Sequence, residues 1–255
     1  MLNALNPHAN ELAFLIRQAN AQASGSAMSM PSNIRQTLTP FFPPQVLDRA
    51  RFTTRQQAGI SLATTVLEAD SNINAITVDD IIVFNNDADA TNPVLWAHEL
   101  VHVGQYQNMG IDGFAAMYAG WGARTIENDA YGWQAYVQLA LSENTPVGQL
   151  WQDNTGGVIQ PLTANDFSSR ISQSAPSQTP TSIIQTPDGN TYEGELSQGV
   201  PQGIGKLTYT NAVYQGQFSR GQPNGWGIMN IKNGDIYWGR FSDGVEQGKG
   251  IIKKK

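Results

Sequence analysis

Three times in the last quarter of this chain the same spacing of residues returns. Tyr192-x-Gly194, Gly199 and Gly203-x-Gly205 recur as Tyr214-x-Gly216, Gly221 and Gly225-x-Gly227, then as Tyr237-x-Gly239, Gly244 and Gly248-x-Gly250. The tyrosine-to-tyrosine period is 22 and then 23 residues. A unit this short cannot bury a core alone, so the copies must stack. Each reads as two short strands joined by Gly-rich turns, glycine supplying the positive φ that other residues resist. Residues 188–253 are therefore expected to form a small array of three hairpins. Its aromatic residues, Tyr192, Tyr209, Tyr214, Phe218, Trp226, Tyr237, Trp238 and Phe241, are expected to pack between the hairpins.

A different signal dominates the middle of the chain. Asn92 suits a helix cap, Pro93 the first helical position and Gly110 the end. Inside that helix lies His98-Glu99-Leu100-Val101-His102, the H-E-x-x-H pattern. Four residues is just over one turn, so both imidazoles project from one face and can share one Zn²⁺, with Glu99 beside it as a general base. The chain has three His and eight Glu; random placement would give the pattern in roughly one such chain in a thousand. A surface helix carrying two histidines is the plainer alternative. The neighbours Val94, Leu95, Trp96, Ala97, Leu100, Val101 and Val103 argue for a buried helix, in which polar groups need partners.

A catalytic zinc needs a third protein ligand and one open position. Gln105 and Asn108 stand where the extended metzincin pattern has Gly and His, which excludes that class. The remaining histidine, His8, lies far upstream in a segment that reads as loosely attached. The next long helical stretch, about residues 125–141, opens with Glu127, and Ala130 one turn on allows close approach. Glu127 is the expected third ligand. Asp129 is the alternative, or a group that orients an imidazole from behind. A plain acid at a helix N-terminus is the other reading of Glu127. Tyr106, Tyr118 and Tyr131 are candidates for a transition-state donor, with nothing to choose among them.

The rest of the organisation follows from composition. Residues 1–31 read as a helical and irregular segment, with a helix from about Glu11 to Ala23. Residues 32–160 form the domain around the motif, and a turn or two of helix starts at Pro44. Within it Ala75–Asn86 is one bent strand or a hairpin turning at Asp79-Asp80, and a second short helix covers about Gly113–Ala119. Strand first and helices after make an α+β domain, mainly helical. Residues 161–187, rich in Ser, Thr, Gln and Pro, read as an extended linker.

Charge and cysteine usage exclude several classes. Residues 1–170 carry seven Arg and no Lys against fifteen acids; residues 171–255 carry two Arg and six Lys against six acids. An acidic front half argues against a nucleic-acid partner, and Lys253-Lys254-Lys255 reads as a solvated tail. The absence of cysteine excludes disulfides and thiolate metal ligands. No apolar run approaches the ~18 residues of a membrane helix, and Met1–Gln22 is a poor signal peptide.

Two resemblances can be named. The hairpin array, about Asp188 to Lys253, resembles MORN repeats, modules that bind partner proteins or lipid headgroups. The stretch from about Ser32 to Leu141 resembles the extracellular contractile injection system core domain. The carrying residues are Phe41-Phe42-Pro43, Val46-Leu47-Asp48-Arg49, the Ala75–Phe84 strand, Trp96 to Val103 with Gln105-Tyr106, Gly110-Ile111-x-Gly113-Phe114-Ala115 and Ile126-Glu127-Asn128-Asp129-Ala130. Where that family usually has Thr inside the motif, this chain has Val101. The resemblance implies a gluzincin-like site in a bacterial secretion or toxin setting.

The expected function is a zinc-dependent metallopeptidase with a zincin-like fold. It would act on a polypeptide substrate, with His98, His102 and Glu127 on the metal, Glu99 as base and the repeats as a targeting module. The alternative is a scaffold or assembly protein with a structural zinc site, acting through protein or lipid binding by the repeats. A toxin payload that acts only after delivery is a third reading. The chain is expected in the cytoplasm as synthesised, with export by a specialised secretion or injection system the route out. A fourth protein ligand closing the site would favour the scaffold; an open cleft would favour the enzyme.

Overall fold

Small residues at three- and four-residue steps decide how the chain begins. In the computed structural model, helix α1 (Pro7–Ala23) buries Ala9, Ala13, Ile16, Ala19 and Ala23 along one stripe, which lets it lie close against its neighbours. The structure describes residues 7–59, 61–69, 73–120, 123–142, 151–152, 158–159, 163–172 and 181–253. Two compact units divide the chain: residues 1–144 with 163–175, and residues 145–162 with 176–255.

In the first unit α1 is followed by β1 (Met28–Ser29), α2 (Ser32–Leu38), α3 (Pro44–Arg49), β2 (Arg51–Thr54), α4 (Arg55–Ala58), α5 (Leu62–Ala69), β3 (Ala75–Val78) and β4 (Ile81–Phe84). Then come α6 (Pro93–Ala119) and α7 (Ala123–Ser142), and α8 (Ala164–Ser172) returns to the unit later. The sheet order is β1-β2-β4-β3, with β2 parallel to β4 and β3 at an edge. Ala75–Phe84 adopts the hairpin reading. It turns at Asp79-Asp80, where Asp79 has a φ of 61° and the carboxylates pair with Arg49 and Arg51. β4 (IIVF) is buried at every residue, as expected of a strand covered on both faces. On one face Thr77 and Phe84 meet Glu99 and Trp96 of α6. On the other, Val78, Ile81 and Val83 share an apolar cluster with Ala13, Ile16 and Ala19 of α1.

The motif helix forms as its caps dictate. Asn92 Oδ1 accepts a hydrogen bond from the Val94 N–H at 2.9 Å, and Pro93 fills the first position. Gly110, with a φ of 68°, breaks α6 into two arms, the second of which runs to Ala119. α7 covers the helix expected from about 125 to 141.

Two expectations need correction. Residues 1–31 are not a separate segment: α1 packs on α6, α5 and β3, and His8 sits in its exposed first turn. Nor is the described part of residues 161–187 an extended linker: it holds α8 and the strand β7 (Thr181–Gln185). α8 belongs to the first unit, where Phe167 packs 4.9 Å from Phe42 and 5.1 Å from Trp133 by ring centroids. Arg170 there is buried against Asp129 of α7. Ser and Asn dominate the composition of α8, yet Phe167, Arg170 and Ile171 find partners far away in sequence. The boundary expected at 160/161 lies outside the described residues, as do Lys254 and Lys255.

The second unit holds a two-stranded pair, β5 (Trp151–Gln152) with β6 (Val158–Ile159), and a seven-stranded antiparallel meander. Its strands, in chain order and spatial order alike, are β7 (Thr181–Gln185), β8 (Thr191–Ser197), β9 (Val200–Thr208), β10 (Ala212–Ser219), β11 (Gln222–Ile231), β12 (Ile236–Ser242) and β13 (Val245–Lys253). The array therefore begins at Thr181, seven residues earlier than the repeat pattern alone marks.

The structure gives the repeat pattern a physical cause. Gly194 faces Gly205, Gly216 faces Gly227 and Gly239 faces Gly250 across the strands. The tyrosine of the repeat lies over the glycine pair: a Cβ on Gly205 would stand 2.5 Å from the Tyr192 ring, and one on Gly227 would overlap that of Tyr214. Each ring then reaches a backbone acceptor three residues on. Tyr192, Tyr214 and Tyr237 donate their hydroxyls to the carbonyls of Glu195, Gln217 and Arg240 at 2.7, 2.8 and 3.0 Å. Phe218 and Phe241 stand edge-on against these tyrosines. The aromatic residues are thus packing, all buried except the half-buried Tyr209.

Candidate metal centre

Two helices, α6 and α7, each present one polar stripe at the same spacing. On α6 it is His98, His102 and Gln105; on α7 it is Glu127, Tyr131 and Gln134, both at steps of four and three residues. Close packing of the helices brings the stripes together, with Ala130 fully buried between them.

His98, His102 and Glu127 converge, with their ligand atoms all within 4.8 Å of one another. The two Nε2 atoms are 3.2 Å apart, and Glu127 oxygens lie 3.5 Å from His98 Nε2 and 3.8 Å from His102 Nε2. A tetrahedral zinc with bonds of ~2.0–2.2 Å separates its ligand atoms by about 3.3–3.5 Å. The donor set and its spacing therefore fit such an ion. Asp129 is not in the cluster; its carboxylate pairs with Arg170 on α8. His8 is not in it either.

The outer face of each imidazole is held by an amide, not by the carboxylate that Asp129 would have supplied. Gln105 Nε2 donates to the Ile126 carbonyl at 3.2 Å, which leaves its Oε1 to accept from His102 Nδ1 at 2.9 Å. Gln134 Oε1 stands 3.0 Å from His98 Nδ1. With the protons on Nδ1, both Nε2 atoms carry their lone pairs into the site. Gln105 also ties the motif helix to the residue just before Glu127, so one side chain sets the position of two ligands.

Electrostatics couples the cluster. Burial disfavours a charged His98, but the Glu127 hydrogen bond and the Glu99 and Glu127 charges outweigh it and raise the His98 pKa above its ordinary value. Burial pushes Glu127 up, while its His98 hydrogen bond and the nearby histidines bring it net below the usual value. Burial and the Glu127 charge lift Tyr118 to about 12, so its hydroxyl stays a donor, and it hydrogen-bonds Glu127.

Glu99 is 6% exposed and lies on the wall of the same cleft. Thr77 Oγ1 of β3 donates to Glu99 Oε2 at 2.6 Å. That bond fixes the carboxylate and leaves the other oxygen for a further partner. Of the tyrosines, Tyr106 is buried with its hydroxyl 3.4 Å from the Thr77 carbonyl, and Tyr131 is 60% exposed with its ring on His98 at 4.6 Å. The cleft has a volume of about 700 Å³ and runs along β3, α6 and α7, with Leu12 and Ile16 of α1 at one side.

Residues 29–110 match the family model of the eCIS core domain, and residues 192–211 and 214–236 match that of the MORN repeat. This chain joins the two. No curated protein matches it. The eCIS core match includes Thr77, His98, Glu99, His102 and Gln105, but stops before Glu127, Tyr131 and Gln134. The first unit therefore extends beyond the matched stretch on both sides, through α1, α7 and α8. The MORN matches cover two repeats; the third, from Tyr237, keeps the same Tyr-to-carbonyl bond and Gly239–Gly250 pairing.

Two positions went unread in the sequence. Gln134 was open to detection, since it stands seven residues from Glu127 on one helical face. Thr77 was not, because nothing in a strand of Ala, Ile, Thr and Val distinguishes a hydroxyl that meets a carboxylate.

Proposed function

We propose that the eCIS core domain of this chain is a zinc-dependent metallopeptidase of the gluzincin-like kind. The observation that carries the reading is the convergence of His98, His102 and Glu127 on the wall of an open cleft, with the Glu99 carboxylate fixed beside them. Zinc held there would acidify a water and polarise a substrate carbonyl. Glu99 takes the proton of the attacking water and delivers it to the leaving nitrogen, and Thr77 holds it in place for both transfers. Gln105 and Gln134 keep the imidazoles in the tautomer that ligates. Ala75 and Thr77, on the edge strand β3, offer backbone groups to an extended polypeptide.

Among the described residues the cluster has three donors and no fourth, and they line the cleft. That arrangement favours a catalytic site over the closed site of a scaffold. In this reading the MORN sheet is the targeting module, binding a protein or lipid partner, and an injection system carries the chain out of the cell. Among the described residues no helix is long and apolar enough to cross a membrane.

The test is metal content by elemental analysis of wild type, Glu127→Ala and Glu99→Gln, each also incubated with a mixed-peptide library. One zinc per chain in wild type and Glu99→Gln, less in Glu127→Ala, and cleavage by wild type alone is the expected result. Absence of zinc after reconstitution refutes the reading. So does iron in its place, since two histidines and a carboxylate also suit that ion.

A further inference from the structure

The cleft has two walls of different chemistry, and β3 divides them. Every second pair of an antiparallel hairpin exchanges backbone hydrogen bonds. The Asn85 N–H donates to the Asn74 carbonyl at 2.8 Å, so Ile76 with Val83 and Val78 with Ile81 are the other bonded pairs. Ala75 and Thr77 then turn their amides and carbonyls away from β4, toward the strand's unpaired edge, where the Thr77 carbonyl already accepts from the Tyr106 hydroxyl. Their side chains share the face on which Thr77 meets Glu99. Ile76 and Val78 face the opposite way, into the cluster that contains Ala13 and Ile16 of α1. On that side the cleft is lined by Leu12, Ile16, Ile73, Ile76 and Val78. Among the described residues no Lys or Arg lines the cleft, while Glu99 and Glu127 do.

We infer that α1 forms a substrate subsite for aliphatic side chains. A peptide strand added to β3 alternates its side chains between the two walls. Those beside the scissile residue that point away from the histidines fall on Leu12 and Ile16. On the α1 side, away from the metal ligands, the lining is aliphatic and among the described residues offers no basic group to an acidic side chain. The inference rests on the peptidase reading, and it assigns a role to a helix outside residues 29–110.

Leu12 is half-buried and accepts substitution more readily than the buried Ile16. The experiment uses the zinc-loaded full chain and three fluorescent, hydrolysis-resistant octapeptides with Leu, Lys or Asp at every second position and Ala between. Binding is read by anisotropy. Wild type is expected to hold the Leu peptide roughly tenfold tighter than the Asp peptide. Leu12→Ala narrows that gap, and Leu12→Lys reverses the order of the two, with zinc content unchanged. Three peptides bound equally by wild type, or an order unaltered in Leu12→Lys, overturn the subsite and leave the peptidase reading standing. Zinc-loaded wild type that binds none of the three overturns both.

Discussion

The two units solve the problem of burying tyrosine and glycine in opposite ways. In the MORN sheet Tyr192 and Tyr214 meet a glycine pair within their own hairpins, and the bond from tyrosine hydroxyl to carbonyl is repeated three times. In the eCIS core unit nothing repeats. Its site gathers Thr77, His98 to Gln105 and Glu127 to Gln134 from a strand and two helices, and α8 arrives from beyond residue 160 to support them. Local repetition makes a surface whose parts back one another up. Long-range assembly makes one cleft in which each group has a single place, as the proposed proton transfer and metal ligation would demand.

That contrast can be broken or sharpened by experiment, starting with the largest effect. Replacing Glu99 by Gln should cut peptide cleavage by about 10²–10⁴-fold, with zinc retained on elemental analysis. A substitution in the MORN sheet should do the reverse. Gly227→Ala drives a methyl into the Tyr214 ring and should cost the second unit about 3 kcal/mol in chemical denaturation, with the zinc content of the first unit unchanged. Loss of zinc in that variant would show that the units do not behave separately.

Gln105→Leu tests the support behind the metal. It should weaken zinc binding by about 10–100-fold in a chelator competition, and an unchanged affinity would reduce the amide to packing. Gly104→Ala places a Cβ 2.9 Å from the tip of the Phe167 ring on α8. Because a ring edge can shift more easily than backbone, the expected loss is about 1 kcal/mol of first-unit stability, read as a lower unfolding midpoint.

The smallest effect is one of pH on the metal-free protein. His98 is held above its ordinary 6.5, so its contribution is full below that pH and is lost as pH rises through its folded value. Glu127 is held below its ordinary 4.5, so its contribution is present above that pH and is lost as pH falls through its folded value. Stability of the zinc-free protein should therefore peak between about pH 4.5 and 6.5. With zinc bound, stability should instead keep rising as pH passes above that window, because protons compete for the imidazoles. Melting temperatures in EDTA and in zinc across pH 4–8 decide this, and parallel curves would contradict it.

Much of this was legible in the residues themselves. The caps at Asn92 and Pro93, the turn at Asp79-Asp80 and the Tyr-Gly register are local rules, and the chain obeys them. The approach of Glu127 to the histidines was readable because two histidines one turn apart and an acid opening the next long helix leave few arrangements. What escaped notice depended on distant partners. α8 carries only Phe167 and Ile171 as large apolar residues, with Ala164, amid Ser and other polar residues, too few for periodicity to prevail over composition. Its burial comes from Phe42, Trp133 and Asp129, more than 30 residues away in each case. The alanine stripe of α1 was likewise silent until a partner helix gave it a use.

The return of α8 also sets an order of events during synthesis. The chain leaves the first unit after α7, contributes β5 and β6 to the second, and comes back before the meander begins. Asp129 and its guanidinium partner are 41 residues apart; at ~5–20 residues per second that is a delay of about 2–8 s on the ribosome. Helix α7 thus emerges with Asp129 and Trp133 still awaiting Arg170 and Phe167, and its packing is complete only once α8 has followed. A chaperone that holds nascent chains open has its natural point of action in that interval.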